Sequence, residues 1–181
     1  MTQLNEHYIT LIADKVEKEK YLDEVSEIMY TSYSKIGGRP THDMADYLAD
    51  KYMWKLVRKN NKIVAAAIYK FDGENRKYNL AGTDGSPEGK AALYALLKED
   101  IELLGRGAYG EVSDAIEHIM VNKLGAKRIP NKTAQYILTN KFGKQVTDLN
   151  PDGYHYTRMI NGKPTEKIMV GNIPKEFLDI D

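Results

Sequence analysis

Tyr78-Asn79-Leu80-Ala81-Gly82-Thr83-Asp84-Gly85-Ser86-Pro87-Glu88-Gly89-Lys90 leads from a β-prone segment, through a turn of Gly, Asp and Ser, into an apolar-periodic run over residues 91–104. Ser86 is a natural helix N-cap, and Pro87 at the first helical position gives up an amide that has no helical partner anyway. The remaining first-turn amides, the positive end of the helix dipole and Lys90 together make a place where a phosphate or pyrophosphate could rest. An ordinary capped connection between a strand and a helix would read the same way. Two phosphate loops fail on spacing. A Walker A loop needs a glycine five residues before Gly89, where Asp84 stands, and a hydroxyl after Lys90, where Ala91 stands. The Gly-x-Gly-x-x-Gly dinucleotide fingerprint is also missing.

Upstream lie two β-prone runs, residues 53–58 and 62–71, joined by Asn60-Asn61, a pair that tolerates the left-handed backbone of a tight turn. Asp72-Gly73-Glu74-Asn75 turns the chain again into residues 76–81, so three consecutive antiparallel strands lead into the glycine-rich loop. Before them, residues 8–13 suit a short strand. Residues 14–33 suit a helix with Val16, Tyr21, Val25, Ile28, Met29 and Tyr33 near one face, ended by Gly37-Gly38-Arg39-Pro40. A second helix is expected over residues 43–52, with Met44, Tyr47, Leu48 and Tyr52 inward.

Downstream, the 91–104 helix buries Leu93, Leu96, Leu97, Ile101 and Leu104 and stops at Gly105. Residues 107–112 suit a strand. Asp114-Ala115-Ile116-Glu117 has the capping-box pattern and starts a helix that runs through Lys123 and closes at Gly125. Residues 119–125 and 137–143 echo one another because both read as helix ends closed by glycine. A hairpin over residues 154–160 and 166–170, turning at Asn161-Gly162-Lys163-Pro164, precedes a loosely held tail at 172–181.

The 181 residues suit one domain, residues 1–171. Its 26 basic and 26 acidic residues cancel, so no overall field favours nucleic acid or anionic membrane. With no cysteine there are no disulfides, thiolate metal ligands or thiol nucleophiles. The four histidines, His7, His42, His118 and His155, lack metal-ligand spacing, so no metal is expected. The N-terminus lacks a basic region followed by an apolar core, and no apolar run reaches eighteen residues, so a cytoplasmic protein without a membrane partner is expected.

The order strand, helix, helix, three antiparallel strands, Gly-containing loop, helix, strand, helix, strands resembles the GCN5-related N-acetyltransferase (GNAT) superfamily over roughly residues 8–130. The resemblance implies an α/β (α+β) fold with a mixed, mostly antiparallel central sheet flanked by helices, here with a C-terminal β-hairpin. Residues 111–120 and 152–158 are similar to small acetyltransferase-like proteins of bacteriophages, for which the location would be the host cytoplasm.

In this superfamily the pyrophosphate of acetyl-CoA lies on an Arg/Gln-x-x-Gly-x-Gly/Ala loop at a helix start. Placing that loop at Thr83, Gly85, Ser86, Gly89 and Lys90 needs no insertion, although its first basic or amide residue is missing and Pro87 removes a donor. Placing it at Arg106-Gly107-Ala108-Tyr109-Gly110-Glu111 gives a better Arg and better glycines but an intruding helix. The first is preferred.

The implied chemistry is direct attack of an amine acceptor on the thioester, with acetyl-CoA as co-substrate and no covalent enzyme intermediate. Glu111 could be the base or an ion-pair partner of Arg106 or Lys90. Ser113 could donate to substrate or cap a helix, and His118 could titrate in the useful range or sit at the rim. Tyr154 and His155 are runner-up acids. The rivals are a non-catalytic module of the same fold that binds a host protein, and a DNA-base-modifying enzyme. The latter would use Lys123, Lys127, Arg128, Lys132, Lys141 and Lys144 as a cationic face for nucleic acid.

Overall fold

Apolar residues alternating along the strands and recurring every three or four along the helices give two separately cored units in the computed structural model. It describes residues 2–4, 7–34, 44–72, 75–103, 108–160 and 162–172. The first unit comprises Met1–Phe71 and Tyr78–Leu97, and the second comprises Asp72–Lys77 and Lys98–Asp181.

In the first unit a short strand β1 (Thr2–Leu4) pairs antiparallel with β2 (His7–Ile12), an addition to the single expected strand. Helix α1 (Lys15–Ser34) starts where Asp14 accepts the Glu17 amide at 3.2 Å. Val25, Ile28 and Met29 enter the core and Tyr21 and Tyr33 pack at its edge, but Val16 is 62% exposed, against expectation. It lies in the first turn, whose inward role is taken by Lys18.

The expected second helix is shorter and tighter, a 3-10 turn at Met44–Leu48. Two buried donors hold it: Trp54 Nε1 donates to the Tyr47 carbonyl at 2.9 Å, and Lys18 Nζ donates to the Leu48 and Ala49 carbonyls at 3.3 and 2.8 Å. Gly37 to Pro40 and Thr41 lie outside the described residues.

Strands β3 (Met53–Lys59) and β4 (Lys62–Asp72) form the expected hairpin, with Asn60 and Asn61 at φ 52° and 63°, the left-handed pair of a type I′ turn. Strand β5 (Asn75–Thr83) lies beside β4 and runs into α2 (Pro87–Leu103), which begins at Pro87 as read from sequence. Trp54, Leu56, Ala66, Ile68 and Leu80 form a core with α1. Val57, Val64, Ala65 and Ala67 form another with Ala92 and Leu96 of α2. Leu93 and Leu97 are partly buried, whereas Leu104 and the Ile101 side chain lie outside the described residues.

In the second unit the start of β5 pairs in parallel with β6 (Ala108–Val112) at Arg76↔Ala108 and Lys77↔Tyr109. Helix α3 (Asp114–Asn122) follows, then β7 (Lys127–Arg128), α4 (Asn131–Phe142) and β8 (Val146–Leu149). The final hairpin is β9 (His155–Ile160) and β10 (Lys163–Gly171). The hydrogen-bonded order is β6-β10-β9-β8, so the hairpin inserts its second strand next to β6, with β7 also on β10.

Helix α4 packs Ala134, Ile137 and Leu138 on Tyr109, Tyr156 and Met169. Its end at Gly143, φ 62°, is the expected glycine cap. Its start is pinned by Asn131, whose Nδ2 donates to the Asn150 and His155 carbonyls at 2.9 and 3.0 Å. Ser113, one residue before the expected Asp114, holds the N-cap position of α3 and makes no side-chain cap bond; the Asp114 side chain lies outside the described residues, and Glu117 accepts from Arg128 at 2.5 Å. Asn172 donates its amide to the Ala108 carbonyl at 3.1 Å, and the tail from 173 lies outside the described residues.

Candidate functional site

The loop that opens α2 is closed on itself. Thr83 Oγ1 accepts the Gly85 amide at 3.0 Å, and Asp84 Oδ1 accepts both the Ser86 amide at 2.9 Å and the Ser86 hydroxyl at 2.5 Å. Ser86 Oγ in turn accepts the Gly89 amide at 3.0 Å, and the Ser86 carbonyl accepts the Lys90 amide at 3.0 Å. Ser32 Oγ accepts the Thr83 amide and donates to the Thr83 carbonyl, each at 2.9 Å.

The Gly85, Ser86, Gly89 and Lys90 amides, on which an anion would rest, therefore already have acceptors, and the Asp84 carboxylate holds the positive end of the helix. The arrangement makes Ser86 the predicted N-cap, but it does not fit a pyrophosphate as it stands. Gly89 has a structural reason of its own: a Cβ there would meet Asp84 Oδ1 at 2.4 Å and the Val64 carbonyl oxygen at 2.5 Å. Lys90 is exposed, and Glu88 pairs loosely with Lys59 at 3.9 Å.

The second unit gathers chemistry that the sequence left scattered. Glu111 on β6 takes a two-point ion pair from Arg158 on β9: Arg158 Nε to Oε2 at 2.6 Å and Nη2 to Oε1 at 2.8 Å, with Tyr156 OH donating to Oε2 at 3.0 Å. The Arg158 and Glu111 side chains are 12% and 7% exposed. Burial pushes the Glu111 carboxyl up, but the Arg158 bonds and charge, with Lys77 and Lys144, win and hold it below its usual value. Burial, helped by the neighbouring Glu111 charge, pushes the Tyr156 phenol well up. Lys144 and Lys167 both feel Glu111 and have pKa values lowered by burial.

Register explains the meeting. Glu111 pairs with Met169, Lys167 with Tyr156, and Thr165 with Arg158, so all these side chains rise from one face of β6, β10 and β9. The ion-pair partner of Glu111 is thus Arg158, a residue nearly fifty positions away. The sequence signal that could have found it is the alternation Tyr156-x-Arg158 on a strand, but the strand order was needed to use it.

The other candidates lie apart. Ser113 Oγ is buried with no hydrogen-bond partner among the described residues, two residues beyond Glu111 on extended backbone (φ −82°, ψ 165°). His118 is exposed on α3, its Nδ1 2.7 Å from Asn122 Nδ2. Tyr154 is exposed, and His155 Nδ1 makes a short contact with the exposed Asp152. The six cationic residues proposed as a nucleic-acid face do not act alike, since Arg128 is committed to Glu117 and Lys144 is half-buried near Glu111. Arg106 lies outside the described residues.

No protein-family model and no curated protein sequence matches this chain. Solved structures do. The ribosomal-protein-S18-alanine N-acetyltransferase of Escherichia coli aligns with a TM-score of 0.55 at 14% identity, covering 97% of this chain and 96% of its own. A probable acetyltransferase from Staphylococcus epidermidis aligns with a TM-score of 0.56 at 9% identity over 91% and 96%. A Bacillus subtilis acetyltransferase in complex with CoA aligns with a TM-score of 0.52 at 12% identity over 91% and 96%. No helix among the described residues is long and apolar enough to cross a membrane. In strand order, mixed pairing and flanking helices, the chain has the fold of the GCN5-related N-acetyltransferases.

Proposed function

We propose that this chain is an N-acyltransferase in which residues 1–171 act as one domain that moves an acetyl or related acyl group from acyl-CoA to an amine. The observation that carries the reading is strand β6 itself, which meets the start of β5 in parallel at Arg76↔Ala108 and Lys77↔Tyr109 and runs on through Glu111 to the buried Ser113 hydroxyl. The near-full-length likeness to acetyltransferases, one of them holding CoA, supports the same reading.

In the reaction the amine nitrogen bonds to the thioester carbonyl carbon, the carbon–sulfur bond breaks, and the proton lost by the amine is taken up by the thiolate. With no cysteine in the chain, the transfer is direct. Ser113 Oγ, buried and unpartnered, is the candidate donor to an acyl oxygen or a substrate group. Glu111, held ionised by Arg158, is a weak base and is better suited to positioning Arg158 and Tyr156. His118 is the exposed titratable group on the following helix. Thr83, Gly85, Ser86, Gly89 and Lys90 remain the candidate phosphate side of the cofactor. For them to serve, the Asp84 bonds must open.

That closed loop favours a second reading, a non-catalytic module of this fold that binds a host protein. Calorimetric titration of the full chain with acetyl-CoA and with desulfo-CoA separates the two. Micromolar binding of both supports the acyltransferase. A Lys90→Glu variant that weakens it about tenfold places the phosphates at the loop, since one reversed charge near a bound anion is worth of this order. No heat from either ligand would sink the acyltransferase and leave the binding module.

A further inference from the structure

We infer, on the acyl-transfer reading, that the donor is recognised as an acyl-pantetheine thioester and that the start of α2 takes no part in holding the nucleotide end of CoA. A diphosphate resting on a helix start needs free amides and open space above them. Here the Gly85, Ser86, Gly89 and Lys90 amides donate within the loop at 2.9 or 3.0 Å, and Pro87 has no amide hydrogen. The space is filled as well. A Cβ placed on Gly89 would lie 2.4 Å from Asp84 Oδ1, 2.5 Å from the Val64 carbonyl oxygen and 3.2 Å from Ser86 Oγ. A phosphate oxygen brought to that backbone meets acceptors where it needs donors.

Rotation of the Asp84 side chain alone does not clear the place. The Val64 carbonyl belongs to β4 and stays, because it accepts the Asp84 amide at 2.9 Å. One residue earlier, Ser32 Oγ holds both the amide and the carbonyl of Thr83, each at 2.9 Å, so the backbone entering the loop is fixed at two successive residues. Charge acts in the same direction. Residues 83–90 carry Asp84 and Glu88 against Lys90, and Glu88 faces Lys59 at 3.9 Å. A multiply charged diphosphate is not attracted to a stretch with more acid than base. What is left of the donor to recognise is the thioester with its pantetheine arm, which acetyl-CoA and S-acetylpantetheine share. The carbon attacked and the thiolate that leaves are also the same in both.

The test is calorimetric titration of the full chain with acetyl-CoA, S-acetylpantetheine and ADP, at pH 7 and equal ionic strength. The two thioesters should bind within about threefold of one another, and ADP should give no saturable heat. Hydrogen exchange of the amides over residues 83–90 should be unchanged when acetyl-CoA saturates the protein, since those amides keep their internal acceptors.

Acetyl-CoA binding about tenfold tighter than S-acetylpantetheine would overturn the inference, as would slowed exchange over residues 83–90 with acetyl-CoA alone. So would a Lys90→Glu variant that loses about tenfold for acetyl-CoA and nothing for S-acetylpantetheine. No heat from either thioester is a different result: it sinks acyl transfer itself, and the donor with it.

Discussion

Gly89 and Glu111 show how far a single residue's role depends on what lies across from it. At Gly89 the limit is space: Gly89→Ala drives a methyl into Asp84 Oδ1 and the Val64 carbonyl, and should cost about 2 kcal/mol in urea unfolding. Ser86→Ala, which removes only the cap on the Gly89 amide, should cost about 1 kcal/mol. If Gly89→Ala proves the milder of the two, close packing is not the reason for the glycine. At Glu111 the limit is charge. Glu111→Gln leaves the Arg158 guanidinium among Lys144, Lys167 and Lys77 without its counter-ion, and a loss of about 3 kcal/mol or more is expected in the same measurement. The N-cap role of Ser86 was legible from its place before Pro87. The Asp84 bond that closes the loop needed coordinates, because Asp84 reads equally well as a turn residue.

Among the elements, the strongly periodic ones were readable and the short ones were not. Asn60-Asn61 announced the β3–β4 hairpin because two consecutive residues with positive φ are tolerated best by Asn and Gly. The start of α2 at Pro87 and the end of α4 at Gly143 followed from capping chemistry. The 3-10 turn at Met44–Leu48 was overestimated as a helix, since its apolar residues have helical spacing while the length is set by Trp54 and Lys18. Strand β8 was missed because its exposed Thr147 and Asp148 carry no apolar alternation. Helix α4 is placed by Asn131, which serves the Asn150 carbonyl of the β8–β9 connection and the His155 carbonyl that opens β9. Asn131→Ala should lower stability by about 2 kcal/mol and speed hydrogen exchange at the start of α4; unchanged exchange there would show that the apolar face alone positions the helix.

For the whole molecule, charge balance predicts little field at neutral pH and a clear response to acid. Glu111 is held below its usual 4.5, and Asp152 is held to about 2 by the Tyr154 and His155 amides. A carboxyl whose folded pKa lies below its unfolded value contributes stability above the unfolded pKa and loses it as pH falls through the folded one. Unfolding free energy should therefore hold down to about pH 4.5 and decline below it, with a shallower decline in Glu111→Gln; a flat profile to pH 3 would contradict the Arg158 pairing. The sequence by itself determined the succession of elements, the turns and caps that bound them and, through that order, the fold, because these depend on contacts a few residues apart. The tertiary structure alone decided that Glu111 meets Arg158, Tyr156 and two half-buried lysines, and that Asp84 occupies the helix end. Those outcomes depend on β10 inserting between β6 and β9, and on the backbone turn that brings Asp84 Oδ1 onto the Ser86 amide and hydroxyl.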